Sequence, residues 1–256
     1  MVIHKFYNFK SVANSRKIFI VGTGRSGTHL VGYILGSHPD VRATIEVNPG
    51  FRWVTEMAIN PSTREKHYWK LVWYYRWQHF RSVPNHYVDK SHPNLWIAHR
   101  LAETFPKALF LGIQRNPYAT VASMINHEGV RKWHERWLEF PIPNRFLGIA
   151  ESDVAEYEQR SLATKCAMRW KAHHDRLRVL NRELYDRMLI VRQEDLVLNT
   201  AHILDQLQEF TSLDRSFPVP EVKYNTLNKW IDHLSASEVA DIKAETGVKP
   251  DDVDTW

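Results

Sequence analysis

Apolar positions along this 256-residue chain follow two alternating rhythms. Short, nearly continuous apolar runs at Lys17 to Val21, Tyr87 to Lys90, Leu109 to Gln114 and Met188 to Val191 read as buried strands. Val41 to Val47 reads as another strand, ending in Glu46 before an Asn48-Pro-Gly50 turn. Between them lie segments with helical spacing: Thr28 to Gly36, stopped near Ser37-His-Pro39; an aromatic stretch over 53–82; Leu95 to Phe105; and Tyr118 to Asn126. Leu162, Cys166, Trp170, Leu177, Leu180 and Leu184 predict one long amphipathic helix across 153–185. Asp195 to Leu198 opens another, and Leu234 to Thr246 reads as a last surface helix begun at Ser235 or Ser237. The region 131–152, with Pro141, Pro143, Asn144 and Gly148, reads as an irregular loop or lid.

Strands that alternate with helices predict an α/β fold in three layers, a central, mainly parallel sheet flanked by helices, with ligands at the carboxyl ends of the strands. A single domain is expected over 1–256, with 1–16 as an N-terminal extension. Glu46, Lys90 and Arg115 each fall at a strand end, as does the glycine loop after the first strand, so the pattern puts them on one rim of the sheet.

Composition narrows the picture slightly. The net charge of +5 comes from 34 basic and 29 acidic residues, and the basic residues are scattered rather than blocked. That suits a pocket for a small polyanion better than a nucleic-acid surface. The chain has no apolar run long enough for a membrane span and no signal-peptide pattern, and one cysteine, Cys166, agrees with a reducing compartment. A cytoplasmic protein with no nucleic-acid or membrane partner is therefore expected. There is no Cys pair or H-E-x-x-H, so no metal site is expected. Ten Trp, ten Tyr and eleven Phe are unusual, and many crowd into 67–80.

The loop Gly22-Thr-Gly-Arg-Ser-Gly-Thr28 follows a strand and opens a helix, which favours binding of a phosphate. Gly22, Gly24 and Gly27 fit a dinucleotide fingerprint, with Glu46 nineteen residues after Gly27 as the ribose acid. Gly22 and Gly27 also have the spacing of a nucleoside-triphosphate loop, with Asp89 available to hold a metal, but Thr28 stands where the lysine belongs. A third reading starts from Arg25 within the loop.

The loop taken together with Arg115-Asn-Pro-(x5)-Ser123 resembles the two signatures of sulfotransferases that use 3′-phosphoadenosine 5′-phosphosulfate, with glycan- and tyrosylprotein-type motifs. Asp89-Lys-Ser-His-Pro93, Leu189 to Leu196 and Asn225 to Trp230 extend the resemblance over about residues 17–245. It implies a P-loop-NTPase-like sulfotransferase fold. It implies that Gly24, Arg25, Ser26, Gly27 and Thr28 hold the 5′-phosphosulfate, and that Arg115 and Ser123 hold the 3′-phosphate. It further implies contacts from Gln193, Asn228, Lys229 and Trp230, the product 3′,5′-adenosine bisphosphate, and no metal. His29, Gln193 and Asn228 depart from the residues usual at their positions.

The resemblance assigns Arg25 and Lys90 to the charge developing on the leaving oxygen. Glu46 is the first choice for the base that takes the acceptor's proton, with His92 second and His29 third. Trp73, Tyr74 and Trp77, with Trp133 and Trp137 of the expected lid, are candidates for packing on a small-molecule or carbohydrate acceptor. Two alternatives stay open: a P-loop small-molecule kinase, and a non-catalytic nucleotide-binding member of the fold.

Overall fold

The computed structural model describes residues 14–221 and 227–252. Its five described strands are β1 (Lys17–Gly22), β2 (Val41–Ile45), β3 (His86–Lys90), β4 (Leu109–Gln114) and β5 (Met188–Arg192), in the spatial order β2-β3-β1-β4-β5. All neighbouring pairs are parallel, and the register sets Ile20 beside both Lys90 and Leu111. A parallel sheet needs cover on both faces, and the side-chain alternation of β1 supplies it. Ile18 and Ile20 pack with Val31, Ile34, Leu35, Leu204 and Leu207 on one side. Phe19 and Val21 pack with Val54, Leu71, Tyr75, Leu101 and Leu177 on the other. Each such side chain contributes about 1.5–3 kcal/mol by leaving water.

The first face is covered by α1 (Thr28–Ser37) and, late in the chain, by α8 (Gln193–Leu198) and α9 (Thr200–Thr211). The second carries α2 (Gly50–Ile59), α3 (Arg64–Ser82), α4 (Ala98–Thr104) and the long α7 (Leu162–Leu184). Between these, α5 (Pro117–Ile125) follows β4, capped by the Asn116 side chain, which accepts from the Tyr118 and Ala119 amides at 2.9 and 3.3 Å. The short α6 (Glu128–Glu135) comes next. The last described helix, α10 (Ala236–Thr246), packs on α5 and α7. Ser235 and Glu238 form its capping box, which decides between the two expected starts.

Several expected boundaries move. The aromatic stretch 53–82 is two helices, because Asn60-Pro61 ends one turn and starts another. The helix expected over 153–185 begins at Leu162, where the Ser161 side chain accepts from the Thr164 amide at 3.0 Å. Helix α8 begins at Gln193 rather than Asp195. The lid expected at 131–152 is corrected in two respects. Its first residues are helical, within α6, and Phe146, Leu147 and Ile149 are buried in the core. An Asn144–Ile149 bridge and an Asn144 Nδ2–H donated to the Ile59 carbonyl at 2.9 Å tie the segment down. Of the expected extension, residues 1–13 lie outside the described residues, as does Asn225 of the late segment.

Candidate active site

The carboxyl ends of β1 to β4 open into a cavity of about 590 Å³. Its wall includes Gly24, Arg25, Gly27, Thr28, His29, Glu46, Lys90, His92, Arg115 and Ser123. The sheet thus brings together side chains that lie far apart in sequence. Arg25 and Gly27 both take left-handed backbone, φ 78° and 91°, and the Ser26 amide donates to the Thr23 carbonyl at 3.2 Å, so the loop turns tightly before α1. At Gly27 a β-carbon would meet the Gln193 side chain at 2.9 Å, so the position needs glycine both for its dihedral and for space.

Glu46 is also left-handed, φ 51°, just beyond β2, with its amide donating to the Lys90 carbonyl at 2.9 Å. Its carboxylate is the hub of the site. Buried Lys90 donates to Oε1, and so does His92 Nδ1–H at 2.9 Å; His29 Nε2 lies 3.5 Å from Oε2. Lys90 Nζ also donates to His29 Nδ1 at 3.0 Å, which leaves the His29 proton on Nε2, facing Glu46. Burial pushes the Glu46 carboxyl up, but the His92 hydrogen bond and charge, followed by those of Lys90, outweigh it and hold the group at about 2. His92 is pushed down by burial, against the pull of Glu46, to about 4. His92 lines the cavity; with Nδ1 donating to Glu46, its neutral ring carries the lone pair on Nε2, which is buried beside Gly24 and has no hydrogen-bond partner among the described residues.

A second group of polar side chains gathers around Arg25. Arg25 Nε donates to the Ser123 hydroxyl at 3.1 Å, and Arg115 Nη1 donates to the Arg25 carbonyl at 3.1 Å. The Arg115-Asn-Pro turn is held from below, where Glu194 Oε1 accepts from the Asn116 amide at 2.9 Å and the Arg115 carbonyl accepts from Trp170 Nε1 at 3.0 Å. The wall therefore carries four cations, Arg25, Lys90, Arg115 and Arg169, against the one carboxylate of Glu46. Among the described residues no cluster of three His, Cys, Asp or Glu side chains is arranged for a metal ion, and no helix is long and apolar enough to cross a membrane.

Other expected residues lie elsewhere. The Ser26 hydroxyl donates back to the Thr23 carbonyl at 2.6 Å, inside the loop rather than into the cavity. Trp73 and Trp77 are 66% and 57% exposed, because α3 spends its inward face on Tyr68, Leu71, Val72 and Tyr75; Tyr74 lies against Gly50. None of the three lines the cavity, whereas Trp133 does. Trp137 is buried against Tyr157, 4.9 Å between rings, and donates to Glu158. Gln193 supports Gly27 from behind. Asn228 and Lys229 are exposed, and Trp230 packs on Tyr118 at 5.0 Å, outside the cavity wall. Asp89 points to the opposite face from Lys90. There it accepts from Thr44 at 2.9 Å, Tyr75 at 3.1 Å and Asn94 at 2.9 Å, and burial pushes it up to about 6.

Sequence reasoning missed Phe51, His127, Val130 and, above all, Arg169, which all line the cavity. A signal for Arg169 existed: it falls at helical spacing between Cys166 and Leu177, a charge inside the apolar stripe of α7.

Among curated proteins none matches the chain. Solved structures do, over nearly all of it. The sulfotransferase domain from the curacin biosynthetic pathway has a TM-score of 0.62 at 15% identity and covers 92% of this chain and 98% of its own. That of the Synechococcus PCC 7002 olefin synthase reaches 0.58 at 16%, covering 91% and 94%. A sulfotransferase from Alicyclobacillus acidocaldarius reaches 0.51 at 16%, covering 91% and 96%. These similarities establish the fold, a parallel sheet between helices, as that of sulfotransferases. A family model described as the sulfotransferase family matches residues 17–217, so the loop, the Glu46–Lys90 centre and the segment from Arg115 to Ser123 all fall within the match, and the chain belongs to the sulfotransferase family.

Proposed function

We propose that this protein moves the sulfuryl group of 3′-phosphoadenosine 5′-phosphosulfate to a hydroxyl of a small-molecule or carbohydrate acceptor, in a reducing cytoplasmic setting. The observation that carries the reading is the convergence in one cavity of two anion anchors: the glycine loop with Lys90, and Arg115 with Ser123, joined through Arg25. Such a pair suits a ligand with phosphate at both ends of a nucleoside. Gly24, Arg25, Gly27, Thr28 and Lys90 would hold the phosphosulfate end, and Arg115 with Ser123 the 3′-phosphate. The bound donor supplies the sulfuryl group and an anionic phosphate as leaving group. Lys90 and Arg25 offer positive charge where that anion develops.

The proton falls to His92 rather than to Glu46. Glu46 is already engaged by Lys90 and His92 and held far below neutrality, whereas His92 keeps an uncommitted lone pair on Nε2. In this reading Glu46 orients the imidazole and stabilises the imidazolium that forms when Nε2 takes the acceptor's proton. The kinase alternative is weakened because Asp89, the acid it would use for a metal, is spent on Thr44, Tyr75 and Asn94.

Calorimetric titration with 3′,5′-adenosine bisphosphate, beside ATP with Mg²⁺ and NAD, tests the donor site. The bisphosphate alone should bind, and Arg115→Ala should weaken it by roughly 10- to 150-fold, the equivalent of a lost charge-assisted bond of about 1.5–3 kcal/mol. Preference for ATP or NAD would overturn the assignment.

A further inference from the structure

Arg169 is 0% exposed, and its Nε, Nη1 and Nη2 have no hydrogen-bond partner among the described residues. Its guanidinium packs against two rings that meet edge to face at 5.1 Å, lying 4.8 Å from the Trp133 centroid and 4.6 Å from that of Phe146. Ring faces offset part of the cost of burying a cation, but they leave the N–H edge of the fork unused. An uncompensated buried charge is expensive for a fold to carry, and this one is part of the wall of the active-site cavity. A ligand anion that satisfies it explains both facts.

The position identifies which anion. Arg169 Nη2 and His92 Nε2 lie 3.6 and 3.1 Å from one point, the place a β-carbon on Gly24 would occupy. The two nitrogens therefore flank the same loop residue, which sets the guanidinium beside the imidazole that takes the acceptor's proton. Loop and Lys90 on one side, and Arg115 with Ser123 on the other, already provide for a donor's two anionic ends. Phe51, Val130 and Trp133 give the cavity apolar lining.

We infer that Arg169 binds a carboxylate of the acceptor, so that the acceptor is a hydroxy acid whose hydroxyl lies a few bonds from its carboxylate and within reach of His92 Nε2. The inference rests on the donor and base assignments above and deepens them. Burial pushes the guanidinium down to about 10, which still leaves it charged at neutral pH.

The test compares 3-hydroxybenzoate with its methyl ester by calorimetry at constant ionic strength, with and without saturating 3′,5′-adenosine bisphosphate, for wild type and Arg169→Met. The wild type should bind the acid at least tenfold more tightly than the ester. Arg169→Met should lose that preference, keep bisphosphate affinity within twofold, and melt no lower than wild type, since it removes an unpaired buried charge. Equal binding of acid and ester, binding of neither, or a preference that survives in Arg169→Met overturns the inference. A tenfold loss of bisphosphate affinity in Arg169→Met also overturns it, by assigning the guanidinium to the donor. If wild type discriminates acid from ester yet binds no bisphosphate, the donor reading fails and the carboxylate site stands.

Discussion

Replacing Glu46 by Gln, Lys90 by Met, and then both, measures what holds the centre of the site together. The Lys90 side chain is 1% exposed and that of Glu46 22%, so the pair sits largely out of water. Unit charges about 3 Å apart attract by about 5 kcal/mol at an effective dielectric of 20, and desolvation of both groups offsets much of this. Removing one partner is costlier than the pair's net worth, about 3–5 kcal/mol, because it strands the other. Lys90→Met leaves the carboxylate with His92 and His29 and belongs at about 3 kcal/mol. Glu46→Gln leaves a buried ammonium with a neutral amide and His29 Nδ1, and belongs nearer 5 kcal/mol by the same range. The double variant removes both charges, so its cost should fall short of the sum by about 2–3 kcal/mol. Urea unfolding of all four proteins, followed by tryptophan fluorescence, gives these differences provided the m-values agree. A coupling below about 0.5 kcal/mol would refute the pairing, and with it the account of Lys90 as a charge positioned by Glu46.

Three further outcomes follow from the same geometry. His92, His134 and His173 are held neutral by burial, at about 4, about 3 and well below the usual imidazole range. With folded values below the unfolded value, their stability is complete above pH of about 6.5 and is lost as pH falls toward 4, each contributing up to about 1.4 kcal/mol per pH unit. Calorimetric melting should therefore be flat from pH 7 to 8 and drop steeply below 6, and an unchanged melting temperature down to pH 4.5 would contradict the burial. His92→Gln should lower turnover by roughly 10³-fold, whereas Glu46→Gln, whose amide oxygen still accepts from Nδ1–H, should cost roughly 10- to 100-fold. Bisphosphate release with acceptor in excess measures both, and the reverse ranking returns the base role to Glu46. Gly27→Ala, forced to φ 91° against Gln193, should lose about 1–3 kcal/mol of stability and most bisphosphate affinity, while Trp73→Ser with Trp77→Ser should leave that affinity within twofold.

Local patterns carried most of the architecture. The central strands β1 and β4 are short apolar runs whose two faces are both buried, and such runs announce themselves without any knowledge of their neighbours. The glycine loop and the Arg115 to Ser123 spacing were legible for a related reason: a backbone turn, a helix start and a side chain one or two turns into it are set by adjacent residues. Placing Glu46, Lys90 and the loop on one rim needed only the rule that parallel strands present their carboxyl ends together.

What the chain alone left undecided are matters of which face meets which. The aromatic run 67–80 offered Trp73 and Trp77 to a ligand, but Tyr68, Leu71 and Tyr75 claimed the sheet, and helical geometry then turned the tryptophans outward. Whether Glu46 or His92 keeps a lone pair for chemistry depends on contacts between residues 44 to 46 positions apart, which no local pattern encodes. The sequence by itself determined the sheet, the glycine loop and the identity of the charged groups. Only the tertiary structure decided their pairing, and it left Arg169 buried against Trp133 and Phe146 with its N–H edge uncommitted among the described residues, because burial and hydrogen-bond satisfaction arise from the whole packing.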